Sequence, residues 1–261
     1  MTTPSRVQEE FTRQAETLSV AAAFTDAEVL ERIRTAVSPT KRMRILDVGC
    51  GPGILAAALA PEARQIVAYD LTPGMLEKAR KRCQQASLQN IRFILGKAED
   101  IPFADERFDV VVTRLTLHHF PDPQVVAAEM ARVTRPDGKV VMADVVASEN
   151  SQEAELHNAL EVLRDPSHVR MLPPGEIVRL VGMAGLRVAE TSTWEMPREF
   201  DEWIRITNAP ERRAPLLTIM RTLAQAGIRA GIDLGISKNT VTFKHRWLLV
   251  TAEKTRGTAA D

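Results

Sequence analysis

Three closely spaced glycines form the segment of this sequence best suited to holding a ligand. They are Gly49, Gly51 and Gly53 in RILDVGCGPG, where they follow the strand-like run RILDV and precede a helix-like run. Glycine lets the backbone turn sharply and lets a ligand approach the backbone closely. At the carboxyl end of a strand, such a turn predicts a ligand-binding loop.

The spacing of these glycines and the acid before them restrict the ligand. Loops that bind dinucleotides space their glycines as GxGxxG, whereas the spacing here is GxGxG. Asp47 lies at the entrance to the loop, where a carboxylate repels a phosphate and attracts an ammonium or a sulfonium. S-adenosylmethionine carries both cations and no phosphate, so the loop favours this cofactor over a dinucleotide.

Asp70 is a second acid with a position suited to nucleoside binding. It ends the next strand-like run, 21 residues after Gly49, where a carboxylate accepts hydrogen bonds from both ribose hydroxyls. Leu71 and Met75 follow it and are expected to sandwich an adenine ring. For Asp70 alone, a turn residue at a strand end is the alternative interpretation.

Two adjacent histidines are the candidates for a general base. His118 and His119 lie in the loop expected after the fourth strand, at the same sheet edge as the glycine loop. A neutral imidazole near pH 7 suits this role, and His119 is the preferred candidate. The alternative is that one of them packs under the loop and bonds backbone carbonyls.

Two further segments contain candidates for binding the methyl acceptor. RDPSHVR contributes Arg164 and His168, which are suited to orienting a polar group, although a capping and salt-bridge cluster is the alternative. Phe11 and Gln14 in the N-terminal helix are interpreted as part of a lid that closes over the site. For Phe11, core packing is the alternative.

Neither the cysteines nor the remaining histidines predict a metal site. Cys50 and Cys83 are too few for a disulfide framework or a four-ligand zinc site, and they form no CxxC pair. His157 and His245 show no ligand spacing and are interpreted as structural or surface groups. We therefore expect no metal and a reducing, cytoplasmic environment.

The charge balance argues against a polyanionic partner. The sequence has 34 basic and 34 acidic residues, and KARKR at 78–82 is its densest basic run. A protein held mainly by phosphate neutralisation needs a clustered basic surplus, so no nucleic-acid partner is expected. No apolar stretch approaches the roughly 18 residues of a membrane span, and the first residues do not resemble a secretory signal.

The elements that must position these residues alternate along the chain. Five strands are predicted between residues 43 and 146: MRILDV, QIVAYD, IRFIL, FDVVVT and KVVMADVV. Strands that are apolar throughout, with helices between them, indicate a sheet covered on both faces. We predict an α/β fold with a doubly wound, mostly parallel seven-stranded sheet, with the final strand, TVTFKHRWLLVTA, at the sheet edge.

The flanking segments predict additions to this core. Two helices are expected before residue 40, with Thr25 or Asp26 capping the second. The predicted division is an N-terminal helical cap at 1–40, a cofactor-binding core at 41–150, a helical insertion over the acceptor site at 151–185, further helices and sheet-edge strands at 186–255 and a frayed tail at 256–261.

Several motifs in order resemble those of a known family. LDVGCGPG, YD, GKAEDIPF, FDVVVT and HHFPDP resemble the class I S-adenosylmethionine-dependent methyltransferases, in the ubiquinone/menaquinone-biosynthesis-like, type 11 branch. The resemblance is strong over residues 41–146, and FTRQAE and RDPSHVR extend it. It implies a Rossmann-like fold and S-adenosylmethionine as cofactor, with S-adenosylhomocysteine as product.

The resemblance also implies roles for individual residues. Asp47 and the three glycines would line the methionine end of the cofactor, and Asp70 would bind its ribose. Ala98 would offer its backbone, and Glu99 its carboxylate, to the adenine amino group. Arg114 would contact the cofactor chiefly through its backbone.

The function predicted from these observations is methyl transfer to O, N or C of a small molecule. A quinone-like, phenolic or heteroaromatic acceptor is expected, while the methylated atom and the oligomeric state stay open. The alternatives are a non-catalytic protein that binds the cofactor as a sensor or scaffold, a nucleotide-cofactor oxidoreductase and an RNA or protein methyltransferase.

Overall fold

A single mixed sheet forms the centre of the protein. The computed structural model describes residues 3–255, and the frayed tail predicted at 256–261 lies outside them. The strands of the described region are β1 Arg44–Val48, β2 Gln65–Asp70, β3 Ile91–Leu95, β4 Phe108–Arg114, β5 Thr134–Val146, β6 Arg187–Glu199, β7 Gly235–Ser237 and β8 Thr240–Glu253. Their order is β3-β2-β1-β4-β5-β8-β6, with β7 paired to β8.

Helices connect the strands and precede the first one. They are α1 Thr3–Val20, α2 Ala22–Thr25, α3 Ala27–Val37, α4 Ile54–Leu59, α5 Pro73–Gln85, α6 Pro123–Val133, α7 Ser151–Arg164, α8 Pro174–Met183, α9 Phe200–Arg205 and α10 Arg213–Gln225. Two short 3-10 helices, Leu117–His119 and Pro210–Arg212, complete the described set. Within residues 3–255, no helix is both long and apolar enough to cross a membrane.

Alternating side chains of the strands build a core on each face of the sheet. Leu46 and Val111 belong to the cluster that includes residues of α6 and α8. Ile45 and Val110 belong to the cluster on the other face, with residues of α3, α4 and α5. Strands β1 to β5 are parallel, and helices cover both faces. The predicted mixed α/β fold with a mostly parallel sheet is confirmed.

The antiparallel end of the sheet differs from the prediction in two details. Seven strands form the continuous order, but the short β7 adds an eighth as a hairpin partner of β8. β8 lies between β5 and β6, not at the edge, because Leu248, Leu249 and Val250 are all buried and need cover on both faces. The edge strand is β6, whose residues are mostly exposed or half-buried.

Helix termini follow the capping residues of the sequence. Asp26, one of the two expected caps, accepts a hydrogen bond from the backbone N–H of Val29 at 3.0 Å and begins α3. Asn150 caps α7 in the same way, through Glu153 N–H at 3.1 Å. β5 contains a locally irregular residue, Asp137, whose φ is 60°. The predicted domain boundaries stay a prediction.

The N-terminal helix α1 lies over the carboxyl ends of the parallel strands. Its Gln8 side chain donates to the carbonyl of Leu71 at 2.9 Å, just beyond β2. Gln14 donates to Oδ2 of Asp165, which follows α7, also at 2.9 Å. These hydrogen bonds connect α1 to both the core and the segment after α7, so α1 covers the sheet edge where the glycine loop lies.

Candidate functional site

A cavity of about 380 Å³ opens at the carboxyl ends of β1, β2 and β4. Ligands of open α/β sheets bind at this edge, where the strand order reverses on either side of β1. Nine of the ten residues predicted to bind the cofactor line the cavity: Asp47, Gly49, Gly51, Asp70, Leu71, Met75, Ala98, Glu99 and Arg114. The structure therefore brings together residues from four segments of the chain.

The glycine loop needs glycine for different reasons at different positions. Gly49, Gly51 and Gly53 have φ values of 67°, 52° and 74°, a region that side chains disfavour. A Cβ on Gly51 would meet nothing within 4 Å, whereas a Cβ on Gly53 would lie 2.7 Å from that of Ala79. Gly53 is absent from the cavity wall, because it begins α4 against α5.

Asp47 presents an unsatisfied carboxylate to the cavity. Its side chain is buried, and Oδ2 has no hydrogen-bond partner among the described residues. Burial raises the pKa of Asp47 to about 7, although the nearby Arg114 guanidinium acts in the opposite direction. Because a buried carboxylate without a partner is costly, this site is suited to a cationic ligand.

Asp70 is held in place by the backbone on both sides of it. Oδ2 accepts a hydrogen bond from the N–H of Gly51, and Oδ1 accepts one from the N–H of Thr72, each at 2.8 Å. Burial raises the pKa of Asp70, and these backbone hydrogen bonds limit the rise. The carboxylate is thus fixed between the two loops, with remaining lone pairs for a ligand's hydroxyls.

Arg114 links the cavity to the N-terminal helices. Its Nη1 donates to the backbone carbonyl of Phe24 at 2.9 Å. Burial lowers the pKa of Arg114 to about 10, which still leaves the guanidinium charged at neutral pH. The resemblance implies a contact with the cofactor through the backbone of Arg114, which stays a prediction, and the side chain is engaged by Phe24.

Another part of the cavity wall contains the apolar residues expected to bind a base. Leu71 and Met75 line it beside Ala98 and Glu99. The hydroxyl of Tyr69 donates to the carbonyl of Lys97 at 2.7 Å and so holds the segment that precedes Ala98. This end has the apolar walls and polar rim that a planar base requires.

His119 lines the cavity with its ring orientation fixed. Its Nδ1 donates to the carbonyl of Ser167 at 3.0 Å, so the neutral ring carries its lone pair at Nε2. Burial, together with the neighbouring His118, lowers the pKa of His119 to about 4. The ring is therefore neutral at pH 7 and able to accept a proton.

His118 points away from the large cavity and pairs with a residue that the sequence analysis missed. Its Nδ1 lies 2.7 Å from Oδ1 of Asp144, while Oδ2 of Asp144 accepts from the N–H groups of Thr116 and Leu117. Burial alone would lower the pKa of His118, but the Asp144 carboxylate outweighs it and raises the pKa. The position of Asp144, late in the predicted fifth strand, is the signal that would have identified it.

A second cavity, of about 80 Å³, adjoins the first. The two share lining residues that include Phe11, Phe24 and His119. All four residues predicted to bind the acceptor lie in its wall: Phe11, Gln14, Arg164 and His168. Trp203 and Trp247 add aromatic surface to the same wall. The structure thus places these residues beside the large cavity rather than on the surface.

Arg164 and His168 are already engaged within the protein. Arg164 Nη1 donates to Oε2 of Glu161 at 2.8 Å, and its Nε donates to the carbonyl of Trp203 at 3.2 Å. His168 Nε2 lies 2.8 Å from Oδ1 of Asn158, and burial lowers the pKa of His168 to about 3. These contacts agree with the salt-bridge and capping alternative, and they also fix both side chains in the cavity wall.

His157 and His245, interpreted from the sequence as structural or surface groups, are both buried. Their ring nitrogens approach the carboxylate of Glu161, with all three ligand atoms within 4.8 Å of one another. His157 and Glu161 are four residues apart on α7, a spacing visible in the sequence, whereas His245 arrives from β8.

Comparisons with known proteins agree on one family. A family model described as a methyltransferase domain matches residues 46–142. The chain is 32% identical to the uncharacterized methyltransferase YcgJ of Bacillus subtilis (strain 168), over 78% of this chain and 80% of that protein. The crystal structure of YcgJ matches with a TM-score of 0.82 and 30% identity, covering 88% of this chain and 99% of that one.

Two further relatives extend the comparison. The chain is 31% identical to the uncharacterized protein YafE of Escherichia coli (strain K12), over 75% of this chain and 93% of that protein. It is also 37% identical to a demethylmenaquinone methyltransferase of Clavibacter sepedonicus, over 42% of this chain and 44% of that protein.

Proposed function

The chain belongs to the class I S-adenosylmethionine-dependent methyltransferases, and on that premise we propose that it methylates a small molecule bound in the second cavity. The observation that carries the proposal is the unpartnered, buried Oδ2 of Asp47 in the wall of the large cavity. Family membership also favours an enzyme over the sensor and oxidoreductase alternatives.

The residues of the large cavity fit S-adenosylmethionine, which supplies an electrophilic methyl group on a sulfonium when bound. Asp47 would bind the cationic methionine end, and Asp70 would accept hydrogen bonds from the ribose hydroxyls. Leu71 and Met75 would pack on the adenine, and Glu99 would accept a hydrogen bond from its amino group. The open space beside Gly51 supports this arrangement, because no side chain narrows the cavity there.

His119 is the residue we assign to proton removal from the acceptor. It lies where the two cavities meet, with Nε2 unprotonated at neutral pH. Asp165 lies close enough to raise the pKa of His119 in opposition to burial, so its carboxylate would stabilise the imidazolium that forms. His118, which is paired with Asp144, holds the loop in position.

The aromatic walls of the second cavity favour a planar acceptor. Phe11, Trp203 and Trp247 supply apolar surface there, which suits a quinone-like, phenolic or heteroaromatic ring. The name of the Clavibacter relative, a demethylmenaquinone methyltransferase, supports the same class. A cytoplasmic location and the absence of a nucleic-acid partner stay predictions.

The proposal is tested by incubating the purified protein with a metabolite extract and S-adenosylmethionine that carries a deuterated methyl group. Mass spectrometry should detect S-adenosylhomocysteine together with a small molecule that has gained one labelled methyl. Binding of S-adenosylmethionine without turnover in extracts that contain quinones, phenols and heteroaromatics would contradict the proposed acceptor class. A failure to bind the cofactor in calorimetry would contradict the whole assignment.

Asp70→Ala tests the cofactor site directly. The variant should bind S-adenosylmethionine at least about tenfold more weakly, because two hydrogen bonds to a charged group are each worth about 1.5–3 kcal/mol. Isothermal calorimetry measures the change. Asp105→Ala, which removes an exposed partner of Arg132, is the matched control and should bind normally. Equal affinity of Asp70→Ala and the parent would overturn the ribose assignment.

A further inference from the structure

Three metal-ligating side chains meet outside the cofactor cavity. His157 and Glu161 lie on the same face of α7, and His245 approaches from β8. Oε1 of Glu161 lies 3.7 Å from Nε2 of His157 and 3.3 Å from Nε2 of His245. The side chains are only 2%, 2% and 6% exposed. Ligand atoms bonded at about 2.0–2.2 Å to one tetrahedral ion lie about 3.3–3.6 Å apart, so these separations suit a shared ion.

The imidazoles of this cluster lack the hydrogen bonds that buried polar groups normally make. Neither ring nitrogen of His157 has a partner among the described residues, and neither does Nε2 of His245. The 3.3 Å approach of His245 to Glu161 does not have the geometry of a hydrogen bond. A cluster that served packing alone would be expected to pair these nitrogens, since unpaired buried polar atoms are rare.

Neighbouring residues hold the carboxylate in place. Oε2 of Glu161 accepts from Arg164 at 2.8 Å, and Oε1 accepts from the indole N–H of Trp203 at 3.2 Å. Carboxylate ligands in metal sites are commonly oriented by such hydrogen bonds. Oε1 keeps a second lone pair, and this oxygen is the one that faces both histidines.

We propose that His157, Glu161 and His245 bind a divalent transition-metal ion, with Zn²⁺ as the best match. Two imidazoles and one carboxylate suit Zn²⁺ better than Mg²⁺ or Ca²⁺, which prefer oxygen ligands. Three protein ligands would leave one position for a further ligand, and the second cavity would give access to it, because Glu161 and His245 both line that cavity.

The charges around the site are balanced in part by the protein itself. Arg164 pairs with Glu161 at 2.8 Å, and Nη2 of Arg198 lies 2.7 Å from Oε2 of Glu202. The open position is therefore available to a water molecule or to an oxygen atom of a ligand in the second cavity. This site does not depend on the identity of the methyl acceptor.

The test uses untagged full-length protein that has been treated with a chelator. Calorimetry with Zn²⁺ should give one ion per chain, and Co²⁺ should produce visible absorption bands without the near-ultraviolet band of a thiolate ligand, which would indicate Cys50 or Cys83 instead. His157→Ala and His245→Ala should each lower Zn²⁺ affinity by more than the roughly 10–100-fold typical of losing a residue that only orients a ligand.

Controls separate metal ligation from loss of structure. His168→Gln removes another buried histidine of the second cavity and should leave Zn²⁺ affinity unchanged. Circular dichroism and binding of S-adenosylhomocysteine by each variant report whether the fold and the cofactor cavity are intact. The proposal is overturned if the parent binds no stoichiometric Zn²⁺ or Co²⁺, or if folded His157→Ala and His245→Ala bind as tightly as His168→Gln.

Discussion

At the scale of single residues, the burial of the Asp47 carboxylate determines which ligand charge the large cavity favours. The site places a carboxylate where burial disfavours its ionised form and then leaves Oδ2 without a partner. A cationic ligand reverses the balance, because the opposite charge favours ionisation. The pKa of Asp47 should therefore fall when the cofactor binds, and proton release should accompany binding.

This coupling predicts how cofactor affinity depends on pH. With a pKa of about 7 in the free protein, Asp47 must lose a proton before it can hold the cation. Affinity for S-adenosylmethionine should rise by up to about tenfold per pH unit between pH 5.5 and 7 and then level off. Calorimetry in two buffers of different ionisation enthalpy measures both the affinity and the released proton.

Asp47→Asn is the matched variant for this measurement. The amide keeps the size of the side chain but cannot change its charge between pH 5.5 and 7. Its affinity should be lower than that of the parent at pH 7 and nearly constant over the range. An equally steep pH dependence in Asp47→Asn would show that another group releases the proton.

His119→Gln should separate chemistry from cofactor binding. A general base contributes about 10²–10⁴-fold to rate, so kcat should fall within that range while S-adenosylhomocysteine binds with parental affinity. Because the pKa of His119 is about 4, parental kcat should be independent of this group above pH 6. Steady-state kinetics with the acceptor found in the extract provide the measurement. Parental turnover in the variant would exclude His119 as the base.

At the scale of elements, Asp144 organises the loop between β4 and α6. One carboxylate at the end region of β5 accepts from two backbone N–H groups and from His118. Asp144→Ala should lower the free energy of unfolding by about 3 kcal/mol, because buried donors lose a charged acceptor. Urea denaturation at pH 7 measures the loss, and Asp144→Asn, which keeps one carbonyl acceptor, should lose less.

The pH dependence of this effect has a definite sign. Asp144 raises the pKa of His118 above its ordinary value, although burial acts against the rise. The protonated pair therefore contributes its full stability below about pH 6.5 and loses it as the pH rises through the raised pKa. The stability difference between parent and Asp144→Ala should shrink between pH 6 and pH 9, and a constant difference would contradict the pairing.

At this scale, features that depend on the local sequence could be predicted, whereas features that depend on how distant strands pair could not. The glycine loop and Asp70 were predictable because each lies at the carboxyl end of a buried strand, and parallel strands bring these ends to one edge. The group formed by His157, Glu161 and His245 was not predictable, because it depends on the position of β8 between β5 and β6. Antiparallel pairing at the end of a sheet leaves no comparable signal in sequence order.

At the scale of the whole molecule, the net charge of zero does not mean that the charges are evenly distributed. The sequence has equal numbers of acidic and basic residues, yet buried charges concentrate in and around the two cavities. Asp47 and Asp70 line the larger one, whereas Arg164 and Arg198 line the smaller one together with Glu161 and Asp165. The smaller cavity therefore combines both signs of charge, and Arg164 pairs with Glu161 there.

The N-terminal helix α1 closes both cavities, and its removal should release the cofactor. Phe11 lines each cavity, and Gln8 and Gln14 attach α1 to the loop after β2 and to Asp165. Deletion of residues 1–20 should increase the dissociation rate of S-adenosylhomocysteine at least about tenfold, corresponding to about 1.4 kcal/mol of lost binding free energy. Stopped-flow displacement measures this rate.

A single substitution keeps that experiment interpretable if the deletion destabilises the fold. Gln14→Ala breaks the contact with Asp165 but leaves the helix, so it should increase the dissociation rate in the same direction and by less. If α1 served core packing alone, both variants would unfold at lower temperature while their dissociation rates stayed parental. If α1 instead closes over the bound cofactor, both variants should release S-adenosylhomocysteine faster than the parent. The reason is that the contacts which hold α1 in place slow the escape of the ligand.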